Sequence, residues 1–453
     1  MPSKGSVPTG YADEIVISSS TFKAQQRALQ NGVLPGQKAG QKRKREGKGD
    51  SSVVFGENAY KGPWAKFREK TPEEDESGSE IEVTDYSEEE EDAPKVPPQM
   101  ATDYKPEGQE ESTEFHGESM SDYQGRTYMH VPMDLDVSLT GDLPDDFKCY
   151  VPKKNIFTWK HHSGHAITQM RFFPSSGHLL LAASASGKVK LFDVYHQREL
   201  LRTYSGHNRS CNDVSFNNDG TEFLTASYDR YMKVWDTETG ACKAKFTTGQ
   251  TPHVVRYYPL DNNQFVAGMR DKKIVQYDIR SGEMIQEYDH HLDAVNTITF
   301  CDENRRFVTT SDDKSLRAWE YNIPVPIKFI AEPHMYPLTR AVHHPTKEFI
   351  AMQSSDNQIV VYASSERFRQ NRKKGFRGHN NAGHAIDVSI SPDGEFVMSG
   401  DTGGYVCWWS WKTCKMLHKI QASQVPVVSC AWHPRETSKV VTGDVNGIIK
   451  YWD

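Results

Sequence analysis

From about residue 155 onward, short apolar runs of strand length recur between polar turns. VSF at 214–216 and ITF at 298–300 each open a set, and FLTAS at 223–227 and FVTTS at 307–311 follow them. β-branched and aromatic residues dominate these runs, the composition that suits a pleated, buried surface. After a turn, each set continues through a run closed by an aromatic, usually followed by Asp or Glu, as in MKVWD at 232–236 and LRAWE at 316–320. A further outer run completes the unit. The closing aromatics are Phe192, Trp235, Tyr277, Trp319, Tyr362, Trp409 and Trp452, at spacings of 43, 42, 42, 43, 47 and 43 residues.

Four strands repeated at this period are the signature of propeller blades. Seven markers therefore predict an all-β fold, a seven-bladed WD40 β-propeller over residues 151–453, preceded by a largely disordered or extended arm over 1–150. One blade cannot bury both its apolar faces, so the blades must pack against each other around a ring. The last run ends at Trp452-Asp453, one strand short of a complete blade. The segment NIFTWKHHSGH at 155–165 resembles ELLRTYSGH at 199–207, where an outer strand leads into the next Gly-His pair. Ile156 to Trp159 are thus expected to complete blade seven.

Gly164-His165, Gly206-His207 and Gly378-His379, together with His291, precede their markers by similar distances, so one register runs through the blades. In blade two this places His207, Ser227, Asp229 and Trp235 where a WD repeat has its buried hydrogen-bonded tetrad; blade four offers His291, Ser311, Asp313 and Trp319. Histidine, serine and aspartate also suggest a hydrolase. Repetition of the set blade by blade, with an indole N–H as terminal donor, favours a structural role, because triads are defined by converging geometry. Elsewhere the tetrad is worn: Phe192 and Ser186 replace Trp and Asp in blade one, Gly403 replaces Asp in blade six, and Ser423 replaces His in blade seven.

Charge divides the chain. Residues 1–150 hold 17 basic and 30 acidic side chains, net −13, whereas 151–453 hold 37 and 31, net +6. A weakly basic body on an acidic, solvated tail tolerates anionic partners. In the arm, Lys42, Arg43, Lys44 and Arg45 form a candidate nuclear-import signal. Residues 73–92 contain no Lys or Arg, and Ser77, Ser79 and Ser87 stand among acids, which suits a phosphorylated linker. Two islands, 53–67 and 121–132, keep aromatics that a solvated tail has no need for. Trp64, Lys66, Phe67, Tyr123, Arg126 and Tyr128 are their candidate contacts, with other proteins or with the propeller itself. A short capped helix is expected over 20–30.

Seven scattered cysteines with no metal-binding spacing, no apolar signal core and no membrane-length apolar stretch lead us to expect a soluble, reduced, nuclear protein. No phosphate-binding glycine loop, zinc spacing or unexplained His-carboxylate cluster stands out, so no catalytic, cofactor or metal site and no small-molecule substrate is expected. The 47-residue interval contains the segment ERFRQNRKKGFR at 366–377. It is expected to leave the repeat register as a loop. Arg367, Arg369, Arg372, Lys373, Lys374 and Arg377, interleaved with Phe368 and Phe376, would contact RNA or an acidic protein.

Several strings are too specific for WD repeats in general: GPWAKF at 62–67, DYQGRTYMHVP at 122–132, CYVPKK at 149–154, SYDRYMKVWDTETG at 227–240 and HPRETSKVVT at 433–442. With FVAGMRDKKIVQYDIRSGE at 265–283 and VNTITFCDENRRFVTTSDDKSLRAWE at 295–320, they make the chain resemble the pre-mRNA-processing factor 17 family of WD40 splicing factors, over roughly 62–453. Residues before 53 look shorter and more divergent than that family's. The resemblance implies a nuclear, non-enzymatic spliceosome subunit acting around the second step of splicing. Spliceosomal proteins, and small nuclear RNA or pre-mRNA, would be its partners. On fold alone, a nuclear adaptor for a ubiquitin ligase or chromatin complex remains the alternative.

Overall fold

The computed structural model describes residues 110–453, apart from 122, 123, 136, 142, 145, 163 and 366. The expected helix at 20–30, the basic cluster Lys42, Arg43, Lys44 and Arg45, the island with Trp64, Lys66 and Phe67, and the acidic linker lie outside the described residues, as does Tyr123.

Seven antiparallel sheets make seven blades, and the described residues contain no helix. Blade two shows the plan: Cys211–Phe216, Glu222–Ser227, Met232–Asp236 and Cys242–Phe246 pair in sequence order from inside to outside. The second and third strands are buried along nearly their whole length because neighbouring blades cover both faces. Hydrophobic clusters accordingly lie between blades. Leu224 and Val234 of blade two pack with Val255 and Phe265 of blade three. Val254 and Val266 of blade three pack with Ile298 and Trp319 of blade four.

The ring closes as the sequence predicts. Asn155–Trp159 pairs antiparallel with Ile449–Trp452, with Phe157 opposite Tyr451 and Trp159 opposite Ile449. Three backbone hydrogen bonds of 2.8–2.9 Å between Lys153, Lys154 and Asp453 extend this seam. Trp159 is buried, donates its indole N–H to the Arg198 carbonyl at 2.7 Å, and packs with Ile449, Tyr451, Met170 and Leu180.

Blade one differs by a fifth strand. Ser112–Phe115 pairs antiparallel with its outer strand, Leu200–Ser205. Leu139 and Cys149 are also buried, so parts of 110–150, a stretch placed with the arm on sequence grounds, pack against the propeller.

Candidate functional site

The tetrads form, but with a different hydroxyl. In blade two the Trp235 indole N–H donates to Thr225 Oγ1 at 3.1 Å, His207 Nε2 bonds the same oxygen at 2.7 Å, and His207 Nδ1 bonds Asp229 at 2.7 Å. Blade four repeats this through Trp319, Thr309, His291 and Asp313, at 2.9, 2.8 and 3.0 Å. Ser227 and Ser311, the residues expected from sequence, sit one pleat further along. Trp235 faces Phe223 across the ladder, so its indole reaches the diagonal neighbour at 225 and not 227. The serine hydroxyls instead donate to the Arg209 and Asp293 carbonyls and accept from the Asp229 and Asp313 amides, fixing the turn.

Burial drives the His291 pKa below its usual value, against the pull of Asp313. A neutral imidazole then donates Nδ1–H to the Asp313 carboxylate and accepts the Thr309 proton at Nε2. Burial would raise the Asp313 carboxyl, but the His291 bond and backbone amides outweigh it and hold it low. Thr225 and Thr309 are fully buried and their hydroxyls are engaged at both ends, so no reagent can approach them as nucleophiles. In blade seven Trp452 still donates to Thr442 at 2.9 Å, while Ser423 replaces histidine and donates to Asp444 at 2.7 Å.

The basic segment is not a loop. Gln370–Arg377 is the outer strand of blade five, paired with Gln358–Ala363. Every blade has a bulge in its outer strand beside the marker aromatic, and in blade four Ile327 is the single extra residue between partners Pro326 and Lys328. In blade five Tyr362 faces Gln370 and Val360 faces Gly375, so residues 371–374 stand against Val361 alone. This enlarged bulge absorbs most of the long interval. Phe368 and Phe376 are buried core residues, so they cannot stack on a partner. Lys374 donates to the Trp411 carbonyl at 2.6 Å and lies over that indole at 4.9 Å. Arg372 pairs with Glu332 at 2.9 Å but stays three-quarters exposed, and Arg367, Arg369, Lys373 and Arg377 are exposed. Aromatic spacing therefore served packing, and five of the six cations face outward.

Of the second island, Tyr128 is an anchor on the chain's own propeller. Its hydroxyl donates toward the Thr237 and Glu238 carbonyls at 2.7 and 2.8 Å and accepts from Arg202 Nε at 3.1 Å. Phe115 stacks on Tyr128 at 5.9 Å and lies under the Arg202 guanidinium at 5.4 Å. Glu111 bridges Lys233 and Lys245 of blade two, both at 2.6 Å. Burial would raise the Glu111 carboxyl, but the two lysines outweigh it and bring it to about 2. Arg126 lies 3.4 Å from His130. Sequence reading missed Glu111, Phe115 and Arg202; the alternation in ESTEF at 111–115 was the available signal.

The family model for the WD domain, G-beta repeat, matches residues 153–193, 198–236 and 282–320, and that for the anaphase-promoting complex subunit 4 WD40 domain matches 341–435. Pre-mRNA-processing factor 17 of Homo sapiens is 47% identical over 424 residues, covering 92% of this chain and 71% of the relative. That of Saccharomyces cerevisiae is 36% identical over 350 residues, 76% of each chain. The chain belongs to the pre-mRNA-processing factor 17 family. A match over 92% exceeds residues 62–453, so the pre-mRNA-processing factor 17 likeness reaches further toward the N-terminus than the sequence strings indicated. The mouse WD repeat-containing protein 25 is a more distant relative, 24% identical over 314 residues.

This family member has one more feature that the sequence hid. At the centre of the ring the innermost strands bring Arg171, Asp213, Arg256 and Arg340 together with Asp387, just ahead of blade six's first strand, Val388–Ile390. Arg256 pairs with Asp213, Arg340 Nε lies 3.1 Å from Asp387, and Ser429 Oγ donates to Asp387 at 2.7 Å. Burial raises the Asp387 carboxyl despite the two nearby arginines. Residues scattered over more than two hundred positions meet only because the ring closes.

Proposed function

We propose that this chain is a non-catalytic scaffold of the spliceosome, located in the nucleus, that supports splicing around exon ligation. Family membership at 47% identity over 92% of the chain carries this reading. The geometry agrees with it in kind. The His-Asp pairs are sealed into tetrads, while the outward-facing chemistry is a pinned arm and a row of cations. Spliceosomal proteins are the partners that follow, with the arm's Trp64, Lys66 and Phe67 offered to them and Lys42, Arg43, Lys44 and Arg45 serving import.

Depletion from splicing extract tests this. Lariat intermediate and free first exon should accumulate while mature product falls, and adding back the full chain should restore ligation. Accumulation of uncut precursor alone would move the requirement ahead of branching; unchanged splicing would sink the proposal.

A further inference from the structure

Blade five has lost its tetrad. Tyr362 occupies the position of Trp319, Met352 that of Thr309, and Asp356 that of Asp313. His334, at the position of His291, is exposed, and Met335 is buried instead, its sulfur accepting from the Tyr362 hydroxyl at 3.9 Å. Blade five has a cleft of about 250 Å³ lined in part by Val360 and Tyr362. Asp356, Gln358 and Gln370 contribute polar groups to its wall. Asp356 Oδ2 accepts from Gln358, but Oδ1 is buried with no hydrogen-bond partner. Tyr336, half exposed, and Arg372 line the cleft too.

Arg372 lines the cleft from the enlarged bulge, and the exposed cations Arg369, Lys373 and Arg377 belong to the same stretch of chain. The Arg372–Glu332 pair is exposed and therefore weak, leaving the guanidinium free to exchange partners.

We propose that the outer edge of blade five binds single-stranded RNA, with phosphates on Arg369, Arg372, Lys373 and Arg377 and one base in the adjoining cleft. This rests on the splicing role above and names the partner at that surface. A cation row alone suits any polyanion, but a polar cleft next to it suits a polymer that alternates phosphates with flat, hydrogen-bonding groups. At about 250 Å³ the cleft is smaller than the roughly 300–1,000 Å³ of multi-ring ligand sites, the size class of one base with Tyr336 as a stacking face. The Asp356 carboxylate in the cleft wall is an acceptor, so it selects a base with an exocyclic amino group, as carboxylates do for cytosine.

Anisotropy titrations of the purified full chain with labelled oligo-C and oligo-U test this independently of splicing. Oligo-C should bind about tenfold more tightly, the factor one base contact carries. R372S/K373S should weaken both RNAs alike and lower the salt slope by about 1.4, at about 0.7 per phosphate on single strands. D356A should abolish the preference for C and leave the slope unchanged, with thermal melts confirming that both variants are folded. Equal affinity for the two RNAs, unaffected by D356A, would overturn the cleft; a polyglutamate peptide binding more tightly than RNA through Arg372 and Lys373 would make the partner an acidic protein. Failure here would leave the depletion result untouched, and failure of depletion would not change these titrations.

Discussion

Phe157 and Tyr451, from opposite ends of the propeller sequence, are direct partners across the seam that closes the ring. Like the pairing of Ser112–Phe115 with Leu200–Ser205, that seam joins distant chain segments without a hairpin. Removing residues up to 160 should expose the free edge of Ile449–Trp452 and make the protein aggregate, because an unpaired edge templates association. Removing residues up to 144 keeps the closing strand and should leave a soluble ring. W159A, which empties a fully buried site, should cost about 3–5 kcal/mol in denaturant unfolding. Equal solubility and protease resistance of the two truncations would contradict this.

The tetrads give a sharper test, since the two hydroxyls in each blade differ by one pleat. T309V strands both the Trp319 N–H and the His291 imidazole in a buried site, a loss of about 1–3 kcal/mol for each group. S311A removes only turn bonds and should cost about 1 kcal/mol. Urea unfolding of the two variants decides between them. A larger loss for S311A would return the serine to the tetrad.

How far the sequence could be read depended on whether each feature is local. Trp235 and Trp319 mark their strands, and the shared-strand closure was legible because 155–159 looks like the outer run at 200–205. Choosing Ser227 over Thr225 failed because residue spacing does not reveal which diagonal an indole reaches; that depends on ladder register. The basic run at 366–377 looked like a loop since an enlarged bulge breaks the alternation by which strands are recognised. Arg171, Asp213 and Asp387 meet through ring closure alone, and no local pattern announces them.

Arm docking supplies the last prediction. Glu111 is held to about 2 by Lys233 and Lys245, below the usual 4.5 for a glutamate. A carboxyl whose pKa is depressed by folding stabilises the docked state fully above its unfolded value, and that contribution is lost as pH falls through the folded one. Over this range the bridge fails by protonation of Glu111. Acidification from pH 5 toward about 2 should therefore loosen Ser112–Phe115, in addition to the stability the blades lose as His178, His344 and His379, brought to about 4 by burial, take up protons. The side chain is partly exposed, which screens the interaction to on the order of 1 kcal/mol. Amide hydrogen exchange of the strand, corrected for the intrinsic rate, should rise by about fivefold over that interval in the native protein. E111Q should exchange faster at neutral pH and show a smaller acid step. An acid step of the same size in E111Q would assign the transition to another group.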